Sequence, residues 1–270
     1  MVDLFSYSFF VKSTLAVLLT GLITGVLGGY VVSRRMVFIS GGITHSSFAG
    51  LGFGFFMSWS PLLCAMVSAI LSGVGVEWLS QKAKVREDSA IAAVWSLGMA
   101  LGILFTFLSP GYTPSLSSFL FGNILLVTNL ELWLLAGYLT LTIIALVLWY
   151  YPLLYVSFDP EHAHIRGLPT SIIQYAIMIW ICIGIVLSIR VMGIMMLMSM
   201  LTLPQMTIGL YTHRLDRLIL WSSLLSVAAV FVALIISFYC NLPTGALSVL
   251  MLSIIFILVK SFTVVKNKYV

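Results

Sequence analysis

Apolar runs long enough to cross a bilayer, about 20 residues each, recur from near one end of this 270-residue chain to the other. Inside lipid, backbone N–H and C=O groups find no water, so each run must satisfy its hydrogen bonds within itself as an α-helix. Composition points the same way: 61% of residues are hydrophobic and 8% charged, and the mean hydropathy is +1.15. The sequence therefore predicts an all-α, polytopic membrane protein. Loops too short for a second domain make residues 1–270 a single transmembrane domain.

The runs predict helices near 9–32, 36–57, 61–79, 90–108, 130–150, 171–189, 192–209, 218–238 and 245–260. The seventh contains Pro204, which removes a helix hydrogen bond, so the expectation is eight to nine spans. The first run is too long and glycine-rich for a signal-peptide core and is expected to stay as a helix. With the N-terminus outside, eleven of the thirteen basic residues fall on the inner side, leaving only Lys12 and Arg190 outside. That bias puts the C-terminus in the cytoplasm. The apolar segment 117–127 is too short to span and is expected to lie at the interface or to dip in and return.

Small residues mark the seams between helices. Gly21, Gly25 and Gly29 recur every four positions in the first helix, and Gly42, Ser46, Gly50 and Gly54 do so in the second. In lipid such rows let helix backbones approach closely. The second helix also carries His45, on a face shared with Gly41, Ala49 and Gly52. An ionisable side chain at membrane depth is a candidate functional group, and no large side chain of its own helix covers this one. Two other readings of His45 stay open: a hydrogen bond between packed helices, and a proton relay in a secondary transporter or channel. No acidic residue falls at mid-span, which weighs against proton-linked transport.

The inner loop 157–169 reads as one short surface helix. Asp159 suits the N-cap, Pro160 the first helical position, Glu161 the positive helix end, and Gly167 with Pro169 the stop after Arg166. His162 and His164, two residues apart, point to different faces and make no metal pair. Met192, Met195, Met196, Met198, Met200 and Met206 scatter around the seventh run and read as packing residues.

Several classes are excluded. Cys64, Cys182 and Cys240 form no C-x-x-C pair. The net charge of +5 is scattered among short loops, so topology accounts for it and nucleic acid is not a partner. No phosphate-binding loop, H-E-x-x-H or G-x-S-x-G occurs, so the chain is not an enzyme and any ATP is hydrolysed by another polypeptide.

These residues resemble one family, the membrane permeases of bacterial ABC importers for zinc, manganese or iron. Arg34-Arg35-Met36 followed by Ile43-Thr44-His45-Ser46-Ser47-Phe48-Ala49-Gly50 looks like its second-helix signature. Glu87-Asp88-Ser89-Ala90-Ile91, Phe119-Leu120-Phe121-Gly122-Asn123-Ile124-Leu125, Ser157-Phe158-Asp159-Pro160-Glu161, Val191-Met192-Gly193 with Leu203-Pro204, and Leu242-Pro243-Thr244-Gly245 follow in the family's order.

The resemblance implies a permease of the bacterial inner membrane that forms a homodimer. It implies two cytoplasmic ATPase subunits and an extracytoplasmic metal-binding protein as partners, and a divalent metal as cargo, zinc first, with manganese and iron next. It implies no permanently bound cofactor. Asp159, Pro160, Glu161, Arg166 and Gly167 then correspond to the segment that couples to the ATPase. His45 corresponds to a residue on the metal path, where the family usually places an Asp one turn earlier; this chain has Gly41 there.

Overall fold

The computed structural model describes residues 6–109, 122, 124–212 and 214–268. In chain order the elements are α1 (Ser8–Ser33), α2 (Val37–Phe56), α3 (Pro61–Gln81), α4 (Glu87–Leu108), a 3-10 turn (Ile124–Leu126), α5 (Asn129–Leu148), α6 (Tyr150–Phe158), α7 (Pro160–Ile165), α8 (Thr170–Met192), α9 (Ile194–Met200), α10 (Leu203–Gly209), α11 (Leu215–Cys240) and α12 (Thr244–Lys268). Among the described residues every regular element is helical. Seven helices among these residues are both long and apolar enough to cross a membrane: α1, α3, α4, α5, α8, α11 and α12. The eighth long helix, α2, has 20 residues and about the same reach at 1.5 Å per residue, but glycine and serine dilute its apolar character.

The seventh expected helix, 192–209, is not one helix. Gly193, at φ 76°, ends α8, and the chain then forms two seven-residue helices broken at Leu201–Thr202. Proline explains the break. The carbonyl of Met200 would normally accept from the N–H four residues on, but that residue is Pro204, which has none. The side chain of Gln205 substitutes for it: Nε2 donates to Met200 O at 3.1 Å and to Thr24 O on α1 at 2.9 Å. Of the segment 117–127, residues 117–121 and 123 lie outside the described set, and Ile124–Leu126 forms the 3-10 turn.

The chain divides into two compact units. The first comprises Met1–Arg35, Leu116–Leu139 and Leu187–Val270. Its seam is α1 against α11, where Gly21, Gly25 and Gly29 meet Val227, Ser223 and Ile219 in antiparallel register. A Cβ on Gly25 would stand 2.6 Å from Ser223 Cα, so only glycine permits this approach. The broken pair α9–α10 packs among α1, α11 and α12, with Met196, Leu197, Met200 and Leu201 buried. Arg190 pairs with Glu131 at 2.6 Å, joining α8 to α5 at ends that the charge bias puts on the outer side.

The second unit comprises Met36–Ser115 and Thr140–Val186. Here α2 is clasped by α3 and α4. Gly50 and Gly54 lie against Cys64 and Pro61 of α3, while Gly42 and Gly52 meet Ile91 and Gly102 of α4. At the C-terminal end of α3, Gln81 Nε2 donates to Glu77 Oε1 at 2.6 Å and to Gln174 Oε1 of α8 at 2.8 Å. Glu77 is buried despite its charge and sits in the last turns of α3, away from mid-span.

Candidate functional site

Close packing of α2 on α4 creates the surroundings of His45. Gly98 and Gly102, one turn apart on α4, lie directly against the backbone at Ser46 and Phe48, and a methyl on either would collide with it. That approach brings Trp95, three residues before Gly98, face to face with His45. The ring centroids are 4.6 Å apart and the planes 8° from parallel. Phe48 lies near the same imidazole at 6.2 Å. The expectation for His45 is drawn from its own helix face alone, and the imidazole is nonetheless covered. The cover comes from α4, some fifty residues along the chain, rather than from α2 itself.

The two ring nitrogens differ. Nδ1 is buried without a hydrogen-bond partner, whereas Nε2 is not among the buried unpartnered atoms. No hydrogen bond to His45 occurs among the described residues, so Nε2 is the nitrogen that reaches the residue's open side. The hydroxyls on either side are turned elsewhere: Thr44 Oγ1 donates to Gly41 O at 2.8 Å, Ser46 Oγ to Ile43 O at 3.1 Å, and Ser47 Oγ to Thr44 O at 2.6 Å. Each satisfies a carbonyl of its own helix and so leaves the imidazole without a partner. Gly41, one turn earlier, is buried and contributes no side-chain ligand. Among the described residues no three His, Cys, Asp or Glu side chains come together. His45 can thus offer a cation one nitrogen lone pair, enough for a passing ligand and too little for a closed structural site.

On the same unit, Ser46 and Gly50 border a largely apolar cleft of about 690 Å³ between α3 and α4, walled by Leu63, Val67, Leu97 and Leu101. His45 does not line it. Ser68 Oγ of α3 donates to Ser46 O at 2.9 Å, a polar tie across this seam.

The loop 157–169 carries the short helix its sequence predicts. The carboxylate of Asp159 accepts from the backbone N–H of His162 at 3.0 Å and caps α7, with Pro160 and Glu161 in the first turn. Gly167, at φ 79°, closes it: its N–H donates to His164 O at 2.9 Å and that of Leu168 to Ala163 O at 3.1 Å, the paired bonds of a Schellman ending. Arg166 lies over the ring of Tyr155 at 5.2 Å. Ala163 is fully buried beneath the helix, and Ile165 is 83% exposed. The segment therefore stands as a preformed ridge with an apolar tip.

Residues 6–263, nearly the whole chain, match the ABC 3 transport family. The chain belongs to the ABC 3 transport family. Membership makes it a transport protein rather than an enzyme. It is 35% identical over 262 residues to an uncharacterised membrane protein of Synechocystis sp., covering 97% of this chain and 93% of that one. It is 29% identical to the manganese transport system membrane protein MntC of Halalkalibacterium halodurans, covering 97% and 89%. The fold matches PsaBC from Streptococcus pneumoniae at a TM-score of 0.82 and 24% identity, over 95% of this chain and 92% of that one. An all-helical, multi-pass membrane architecture is thus common to this chain and its ABC 3 relatives.

The sequence points to His45 and to the capped loop, because a lone histidine in an apolar run and an Asp-Pro-Glu start are local signals. Trp95 and Gln205 carry no such signal. The residue after Pro204 is the one place where a helix-breaking proline could have prompted a search for a polar substitute donor.

Proposed function

We propose that this chain is the membrane-spanning permease of an ATP-driven importer that moves a divalent transition-metal ion into the cytoplasm of a bacterium, with both of its units acting as one transmembrane domain. The family match over residues 6–263 carries the reading. The manganese system among its relatives supports a metal as cargo. The His45 imidazole, with Nε2 open inside a membrane helix, is the ligand on the ion path. Zinc, manganese and ferrous iron all accept an imidazole. Donor softness favours zinc, and the named relatives bring manganese level with it.

A single nitrogen is a weak hold, which suits a site that must release its ion. A homodimer would add a second His45. Two ATPase subunits would dock on α7, using the ridge from Asp159 to Gly167, and an extracytoplasmic metal-binding protein would deliver the ion. Gly21, Gly25 and Gly29, with Ser46, Gly50 and Gly54, serve as the packing seams that keep the helices together during the cycle.

The test is uptake by the permease reconstituted with its ATPase, with zinc, manganese and ferrous iron in competition. His45→Ala should lower uptake strongly while dimer and ATPase assembly persist. Normal uptake by that variant would remove His45 from the path. Uptake that ran without ATP and collapsed with the proton gradient would instead favour a proton-linked transporter.

A further inference from the structure

We infer that Trp95 is a positioning residue for the metal ion, a flat indole wall that fixes the plane of the His45 ring so that Nε2 alone is presented. The inference rests on His45 being the ion ligand. Three observations carry it. The stack is near parallel, 8° between planes at 4.6 Å, a geometry that restricts rotation of the imidazole about its last side-chain bond. Nδ1 faces the buried side without a partner, so no hydrogen bond sets the ring's orientation. In metal sites a second-shell acceptor on the far nitrogen usually performs that task. Among the described residues no carboxylate or carbonyl does so, and ring contacts constrain the imidazole instead, Trp95 the nearer and more parallel of them with Phe48 beyond.

The backbone makes the wall rigid. Trp95 is brought to this distance by Gly98 and Gly102, whose close contacts with the backbone at Ser46 and Phe48 leave no room for the two helices to come closer. Ring and wall therefore move as one body. When the ion leaves Nε2, the imidazole cannot turn to expose Nδ1 as a second ligand, so each ion meets one donor in one direction.

The experiment uses the full-length chain in lipid nanodiscs with Co²⁺ alone as probe, comparing wild type, Trp95→Phe, Trp95→Leu and His45→Ala. Affinity is read by calorimetry and proximity by quenching of tryptophan emission. An aromatic pair contributes enough that its loss should weaken Co²⁺ binding by about threefold to tenfold in Trp95→Leu, while Trp95→Phe, which keeps a stacking face, stays within about twofold of wild type. Co²⁺ should quench an emission component of the wild type that is missing in Trp95→Phe and unresponsive in His45→Ala. Wild-type affinity in Trp95→Leu together with loss of binding in His45→Ala would overturn the role of Trp95 and leave the metal path standing. Wild-type Co²⁺ affinity in His45→Ala would overturn the path itself. If Trp95→Leu does not assemble, the quenching comparison decides: an identical quench in wild type and Trp95→Phe refutes the stack as the ion's neighbour.

Discussion

Gln205 is the residue on which the broken helix depends, and its substitution gives the sharpest test of the fold. Its amide closes the break left by Pro204, donating to Met200 O and reaching α1 at Thr24 O, while Oε1 is buried without a partner. In Gln205→Met two hydrogen bonds worth about 1 kcal/mol each disappear and one carbonyl is orphaned at about 1 to 3 kcal/mol, while removal of the unpartnered Oε1 returns about as much as the orphan costs, a net loss near 2 kcal/mol. Gln205→Glu is nearly isosteric but faces both carbonyls with a carboxylate. An unpaired buried charge costs about 3 to 5 kcal/mol, so this variant should be the weaker of the two. Denaturant titration of the purified chain in mixed micelles gives the order wild type, Met, Glu. A Glu variant as stable as wild type, or a Met variant weaker than Glu, would refute the assignment of Gln205 as the substitute donor.

Glycine substitutions should divide by what a methyl would meet. Gly25→Ala drives a carbon into Ser223 and should destabilise the α1–α11 seam by about 1 to 3 kcal/mol, whereas Gly137→Ala on α5 meets nothing within 4 Å and should be neutral or stabilising by up to about 1 kcal/mol; equal effects in the same titration would sink the packing account. Asp159→Ala removes the α7 cap, costs about 1 kcal/mol of local helix stability, and should raise futile ATP hydrolysis relative to uptake in the assembled transporter. Replacing His162 and His164 together by Ala should leave uptake nearly intact, since only the backbone N–H of His162 takes part in the cap. Loss of metal transport in that double variant, with docking preserved, would give those imidazoles a role denied them above.

What the sequence disclosed depended on how far each signal had to reach. Hydropathy is a property of short stretches, and it sufficed for every expected long helix but one, while the distribution of Arg34, Arg35, Lys82, Lys84, Arg86 and Arg214 supplies an expected orientation. Asp159, Pro160 and Gly167 act within one turn of helix, so α7 was legible residue by residue. The 192–209 run misled because its composition is that of a span, and its division depends on a backbone turn at Gly193 and a carbonyl deprived of its donor. Pro204 announced a defect without saying whether the chain would kink or break. Trp95 was invisible for a different reason: its position beside His45 is set by glycines on α4 meeting the backbone of α2, and the four-residue spacing of small residues in each helix marks a close approach without naming the partner.

The clasp around α2 also bears on how the chain enters the bilayer. A nascent helix leaves the insertion channel for lipid on the strength of its own apolar surface, and α2, with Gly41, Gly42, Gly50, Gly52 and Gly54 among its 20 residues, has less of it than its neighbours. Its glycine and serine faces become favourable only against α3 and α4. A chain halted after Phe56 should therefore hold α2 poorly, and one extended past Leu108 should hold it fully, a difference that glycosylation mapping of truncated chains would read. The helix that carries the histidine is then committed to the membrane only after the two that follow it.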